Sequence, residues 1–222
     1  MPSLLYRAAR YGYFTAQERL RPLLGEGFEL DGRHYRYFYS HRGMTWRSER
    51  IVEVPLALEF LARHRGKRVL EVGNVMRQYG ETGHTVVDKY ERAPGVINED
   101  AATFTAARFD AILSISTLEH VGWDEPQREP GKVWRVIERL RGELLAPGGS
   151  LLVTTPWGWN RELDTLLAGG DLPFDRTSYL RRHDFLNRRW TQVAGTADLD
   201  GARYGYPFVG AAAVAVSRIG AG

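Results

Sequence analysis

Between Arg68 and Thr155 short apolar runs alternate with polar or amphipathic ones, the pattern of β-α-β units around a mostly parallel sheet. The runs predict strands at 68–72 (RVLEV), 84–88 (HTVVD), 95–98 (GVIN), 109–115 (FDAILSI) and 149–155 (GSLLVTT). Between the last two, GKVWRVIERLRGELL carries helical spacing and ends at Ala146-Pro147-Gly148-Gly149, which reads as a helix stop and turn. The segment between Gly73 and Asp88 leaves room for about two helical turns. Upstream, SERIVEVPLALEFLARH (48–64) is helical in spacing, with Ser48 as its N-cap and Pro55 as a kink or restart. FELDGRHYRYFYSH alternates around Asp31-Gly32 and reads as a hairpin on a two-residue turn. The tail FVGAAAVAVSRI (208–219) is a final long strand, with RWTQVAG (189–195) as its hairpin partner on an otherwise parallel sheet. The expected organisation is a dependent N-terminal cap over 1–49 and one α/β domain over 50–222.

A chain of 222 residues, 43% hydrophobic and 26% charged, suits one such domain. No run approaches the ~20 apolar residues of a membrane span, and the first twenty residues carry charges where a signal peptide needs its apolar run. A cytoplasmic location is therefore expected. The absence of cysteine excludes disulfides, thiolate metal sites and a cysteine nucleophile. The formal net charge is only +3, and lysine occurs only at 67, 89 and 132. The basic clusters RHRGKR (63–68) and RRHDFLNRR (181–189) read as solvated faces, so nucleic acid is not the expected partner.

In open α/β sheets ligands bind beyond the carboxyl ends of the strands, which selects the residues to weigh. After the first parallel strand stand Glu71, Gly73 and Asn74, a turn in which glycine lets backbone approach a ligand. After the second comes Asp88, placed either to accept hydrogen bonds from ribose hydroxyls or to cap a turn. After the third, Asp100 and Ala101 either meet an adenine edge or start a helix. After the fourth, Ser116, Glu119, His120 and Asp124 converge, with His120 able to titrate near neutrality as a general base and Asp124 a weaker second choice. Their spacing matches no strong metal-ligand motif, and no metal site is assigned. After the fifth, Trp157, Trp159 and Asn160, together with Trp123 of the preceding loop, either wall an acceptor pocket or cover the core.

In their order, RVLEVGN, VVDKYE, EDA, FDAILSISTLEHV and LLAPGGSLLVTTPWG resemble the class I S-adenosylmethionine-dependent methyltransferases over roughly 68–158. The resemblance implies a Rossmann-like three-layer α/β sandwich whose mostly parallel sheet has seven strands, the last antiparallel and inserted beside the fifth. It implies S-adenosylmethionine as cofactor, with Glu71 and Gly73 in the first motif, Asp88 as the ribose acid, Asp100 and Ala101 at adenine, and Asn74 and Ser116 lining the site. The chain departs from the family at Val75, where a second glycine is usual; the departure counts more against a dinucleotide, whose pyrophosphate needs close backbone approach. Methyl transfer to an O or N atom of a small molecule, such as a sugar or secondary metabolite, is the expected activity. Methylation of RNA, hydride transfer with NAD, and a non-catalytic binding fold are the alternatives.

Overall fold

The computed structural model describes residues 26–220, together with positions 12, 13, 15, 16, 19, 20 and 23. The hairpin forms as expected: β1 (Gly27–Leu30) and β2 (Arg33–Arg36) pair antiparallel around Asp31 and Gly32, both at positive φ. Phe28 and Tyr35 of the hairpin, with Tyr37, Tyr39 and Trp46 of the segment that follows it, are buried in a core shared with α1 (Arg50–Arg63). Glu49, not Ser48, is the residue at the start of α1, and the Ser48 hydroxyl donates to the carbonyls of Gly43 and Met44 instead. Pro55 lies inside α1 without ending it. A proline there cannot donate to the carbonyl of Ile51, and the Phe38 N–H takes up that carbonyl at 3.1 Å.

The main sheet has β3 (Val69–Val72), β4 (Thr85–Val87), β5 (Val96–Ile97), β6 (Phe109–Ile115), β7 (Leu145–Pro156), β8 (Arg176–Arg182), β9 (Trp190–Val193) and β10 (Ala213–Ile219). Their spatial order is β5-β4-β3-β6-β7-β10-β8-β9. The first five are parallel, and β10 lies antiparallel between β7 and β8. The sheet thus has eight strands rather than seven. The final strand does sit beside the fifth parallel one, but its second partner is β8, and the expected partner around 189–195 becomes β9, paired to β8 at the edge. Neither β8 nor α3 (Arg161–Gly169) was expected.

Consecutive residues of β6 and β7 face opposite layers, as the two-residue period of a strand requires. Leu113, Ile115 and Leu152 meet α1 and the hairpin. Ile112, Leu151 and Val153 meet α3 and α2 (Lys132–Arg139), which runs on through a wider π turn at Leu140–Leu144. Burial on both faces explains why these strands read as continuous apolar runs. β7 starts earlier than expected, at Leu145, because Ala146-Pro147-Gly148-Gly149 is absorbed as an irregularity: the register moves from Phe109 opposite Leu145 to Ala111 opposite Ser150. Between β3 and β4 the chain makes only a 3₁₀ turn at Met76–Tyr79, shorter than the two-turn helix expected.

Leu113→Ala, which empties a fully buried site between α1 and the sheet, is expected to cost ~2–5 kcal/mol. Ile97→Ala on the exposed end of β5 is expected to cost under about 0.5 kcal/mol. Urea titration of both variants checks the contrast, and equal costs would mean that the sheet's two-sided burial is misassigned.

Candidate functional site

The strand order reverses between β3 and β6, and at the carboxyl ends of β3, β4 and β6 opens a cavity of about 440 Å³. That is within the range of small-ligand pockets. The turn after β3 forms its floor. Glu71, fully buried, turns away from the cavity: one carboxylate oxygen accepts the N–H groups of Val75 and Met76, both at 2.8 Å, and the other meets His84 Nε2 at 2.7 Å. Glu71 thus shapes the turn and does not line the site, a correction to its expected place on the ligand. Gly73 lines the cavity at φ 92°, and a Cβ there would lie far inside contact distance of the Thr117 side chain. Val75, by contrast, has φ −88°, a conformation open to any residue, and its side chain joins the α1 core. No glycine is needed there for backbone geometry.

Asn74 and Asp88 line the same cavity. Asn74 is buried; its Nδ2 donates to Glu91 at 2.9 Å, and its Oδ1 has no partner among the described residues. Asp88 caps the turn with one oxygen, accepting Tyr90 and Glu91 N–H at 2.8 and 2.7 Å, and the residue lines the cavity. Ala101 also lines it. Asp100 does so too, but its carboxylate is already engaged by the Ala102 N–H at 2.9 Å, by Lys132 Nζ at 2.7 Å and by Lys89 Nζ at 2.8 Å. Burial alone would raise that carboxyl, but the two lysines outweigh it and hold it at about 2. Glu125 completes the cluster on the same lysines, 2.8 Å from each, and they hold it below its usual range against its own burial. This four-charge knot fixes the far end of the cavity. Lys89 and Glu125, like Gln78, Tyr90, Glu91, Glu99 and Thr117, line the site without having been anticipated.

Ser116 ends β6 in the left-handed region, φ 38°. Its hydroxyl donates at 2.7 Å to Glu53, a fully buried residue of α1 that also accepts from Thr154 at 2.8 Å and pairs with Arg50 at 2.9 Å. His120 stands at the rim, half exposed. Its Nδ1 lies 2.8 Å from Asp124 Oδ2, which assigns the ring proton to Nδ1 and leaves Nε2 as an acceptor. Asp124 does not line the cavity; it orients the ring, and the Trp159 indole N–H shares the same oxygen at 3.2 Å. The Trp159 ring also packs edge-on to His120, at 4.9 Å, and to Tyr204, at 4.4 Å.

Of the other residues expected on the acceptor, none lines the cavity. Trp157 packs on the core with its ring edge-on to Tyr179. Trp123 is covered by the Arg128 guanidinium, 3.6 Å from the ring centre. Asn160 is buried as the cap of α3, accepting the N–H groups of Glu162 and Leu163 and donating to the Glu119 carbonyl. A second cavity, about 290 Å³, lies under the hairpin, where Arg33 and Arg63 share Glu59 and Arg176 and Arg218 share Asp31. No group of His, Asp and Glu side chains disposed to hold a metal ion occurs among the described residues, and no helix there is long and apolar enough to cross a membrane.

The mostly parallel sheet, with its antiparallel final strand beside the fifth parallel one, is a Rossmann-like α/β arrangement. No protein-family model matches the sequence, and no curated protein sequence matches it. Among solved structures the chain is similar to the N-methyltransferase NodS from Bradyrhizobium japonicum WM9 in complex with S-adenosyl-L-homocysteine, at 15% identity over 77% of this chain and 85% of that one, with a TM-score of 0.47. It is also similar to the glycopeptide N-methyltransferase MtfA, at 14% identity over 75% of this chain and 89% of that one, TM-score 0.36.

Two substitutions test the floor of the site. Gly73 and Gly80 have nearly equal φ, 92° and 94°, but a Cβ at Gly80 would meet nothing. Gly80→Ala is expected to cost ~1–2 kcal/mol for backbone strain, and Gly73→Ala about 1–3 kcal/mol more for the clash, part of which Thr117→Ala recovers. Equal costs in thermal unfolding would contradict the close approach of β3 and β6.

A third test is a pH dependence. Burial pushes the Asp164 carboxyl up to about 7, against the opposing hydrogen bond from the Gly158 N–H at 3.0 Å. A group whose folded pKa is raised contributes stability that is full below its unfolded value and is lost as pH rises through about 7. Asp164→Asn should therefore gain stability relative to the parent as pH rises from about 4 to about 7 and gain no more above that, and a difference independent of pH would contradict the assignment.

Proposed function

We propose that the chain is an S-adenosylmethionine-dependent methyltransferase acting on a small-molecule acceptor. The observation that carries this reading is the charge of the cavity. Asp88, Glu91, Glu99, Asp100 and Glu125 line it against the single lysine Lys89; even with Lys132 counted, carboxylates outnumber ammonium groups by three in a protein of formal net charge +3. Such a field attracts a sulfonium with an amino-acid ammonium and repels the doubly charged pyrophosphate of a dinucleotide. The residues present fit the group: Asp88 has an oxygen beyond the one that caps its turn, and the buried Asn74 Oδ1 lacks a donor. Asp88 would hold the ribose, the 73–75 turn the amino-acid end, and Ala101 with the Lys89–Asp100 pair would bound the base. The cofactor supplies an activated methyl group; the chain supplies alignment and a proton acceptor.

His120 is the proton acceptor in this reading. Asp124 fixes its tautomer and stabilises the imidazolium that forms when Nε2 takes a proton from the acceptor. Trp159 packs edge-on against the ring, and Tyr204 packs in turn on Trp159. The basic clusters give little support to RNA as acceptor: Arg63 pairs with Glu59, Arg188 with Glu26, and Arg182 is buried, donating to the carbonyls of Arg47, Asp184, Phe185 and Val209.

Asp88→Asn keeps the turn-capping oxygen and removes the charge. It should weaken S-adenosylhomocysteine binding by about tenfold to a hundredfold, the loss of one charged hydrogen bond, without changing the unfolding midpoint. His120→Ala should leave that affinity within about threefold and lower methyl transfer to a screened acceptor by about 10²–10⁴. Unchanged binding in the first variant or unchanged turnover in the second overturns the corresponding role.

A further inference from the structure

We infer that the second cavity, under the hairpin, is a binding site for a small organic monoanion: a carboxylate carried on an apolar or aromatic body. The cavity of about 290 Å³, at the small end of ligand pockets, is lined by residues 150–152 of β7 and 218–220 at the end of β10. This is the amino-end side of the parallel strands, opposite the carboxyl ends of β3, β4 and β6. None of its lining residues lines the first cavity, so the inference is independent of the methyltransferase reading.

The charges of this cavity do not cancel. Arg33, Arg63, Arg176 and Arg218 line it against Asp31, Glu59 and Asp175, an excess of one cation that no working pH removes. Asp31 is already saturated. Ser178 and Gln192 donate to it at 2.7 and 3.0 Å, and Arg176 and Arg218 meet it at 2.5 and 2.6 Å, filling about the four lone-pair sites of a carboxylate. Glu59 meets Arg33 at 2.8 Å and Arg63 on the same oxygen, and Asp175 accepts the Gly220 N–H at 2.8 Å. Each guanidinium spends one nitrogen on these pairs and keeps further N–H groups of its five. Two shared carboxylates thus hold four cationic forks in place without exhausting them.

Part of the wall is apolar: Tyr35, Leu56, Phe60 and Leu152 line the cavity and belong to the layer where hairpin, α1 and sheet meet. A guanidinium fork matches the two oxygens of a carboxylate, and the apolar wall receives the body that carries it. A monoanion also brings the cavity to zero net charge. The four arginines come from β2, α1, β8 and β10, so such a ligand ties the hairpin and the helix to the sheet.

The test titrates the protein calorimetrically with phenylacetate and with 2-phenylacetamide, its neutral isostere, in the presence and absence of excess S-adenosylhomocysteine. Phenylacetate should bind at least about tenfold more tightly than the amide, the ratio worth one charged hydrogen bond, and should raise the unfolding midpoint. S-adenosylhomocysteine should leave that affinity unchanged. Arg176 and Arg33 are both more than half exposed; Arg176→Gln leaves Arg218 on Asp31, and Arg33→Gln leaves Arg63 on Glu59. Each variant should cut the preference by about threefold or more while the midpoint of the free protein stays unchanged, because exposed ion pairs contribute little to stability. No phenylacetate binding at millimolar concentration, equal affinity for the amide, a preference that survives in both variants, or displacement by S-adenosylhomocysteine overturns the inference.

Discussion

The buried carboxylate of Glu71 is the constraint on which the site depends. Placed at the last inward position of β3, it fastens the chain that leaves the strand by two backbone N–H groups and fastens β4 through His84. A carboxylate is tolerated in so dry a place because each oxygen is hydrogen-bonded. With the turn held down, Gly73 passes against Thr117 where no side chain fits, and the ends of β3 and β6 come close enough to leave a floor for the cavity. Everything further out, from the Asp88 cap to the lysine knot at Asp100 and Glu125, is built on the spacing this sets.

A second buried carboxylate, Glu53, ties the N-terminal layer to the same place. It reaches from α1 to Ser116 and Thr154, at the carboxyl ends of β6 and β7, so the helix on which the aromatic residues pack shares one hydrogen-bond network with the cavity wall.

Much of this was legible in the sequence where one physical signal dominated. The apolar runs of β6 and β7 are long because both faces are buried, and Asp31-Gly32 announces a turn that needs positive φ twice. Gly73, Asn74, Asp88, Ala101, Ser116 and His120 follow from the rule that ligands sit beyond strand ends, and all of them line the cavity. What the sequence hid was hidden for identifiable reasons. β8 carries arginines at both ends and a serine among its inward positions, so its period is masked. Asn160 followed by Leu163 and Leu167 was a helix-capping signal, and reading it as ligand chemistry cost both α3 and the residue's role. Glu53 carried no local signal, because its partners lie 63 and 101 positions away. Trp157 and Trp123 illustrate how aromatic residues beside a strand end more often complete packing than face a ligand.

The central claim is that an acidic berth at the β3–β6 reversal selects an adenosyl sulfonium over a dinucleotide. Calorimetric titration of the unaltered protein with S-adenosylmethionine and, separately, with NAD tests it most directly. Saturable binding of one equivalent of S-adenosylmethionine with no heat from NAD is the predicted result, and saturation by NAD, or by neither compound, would contradict it.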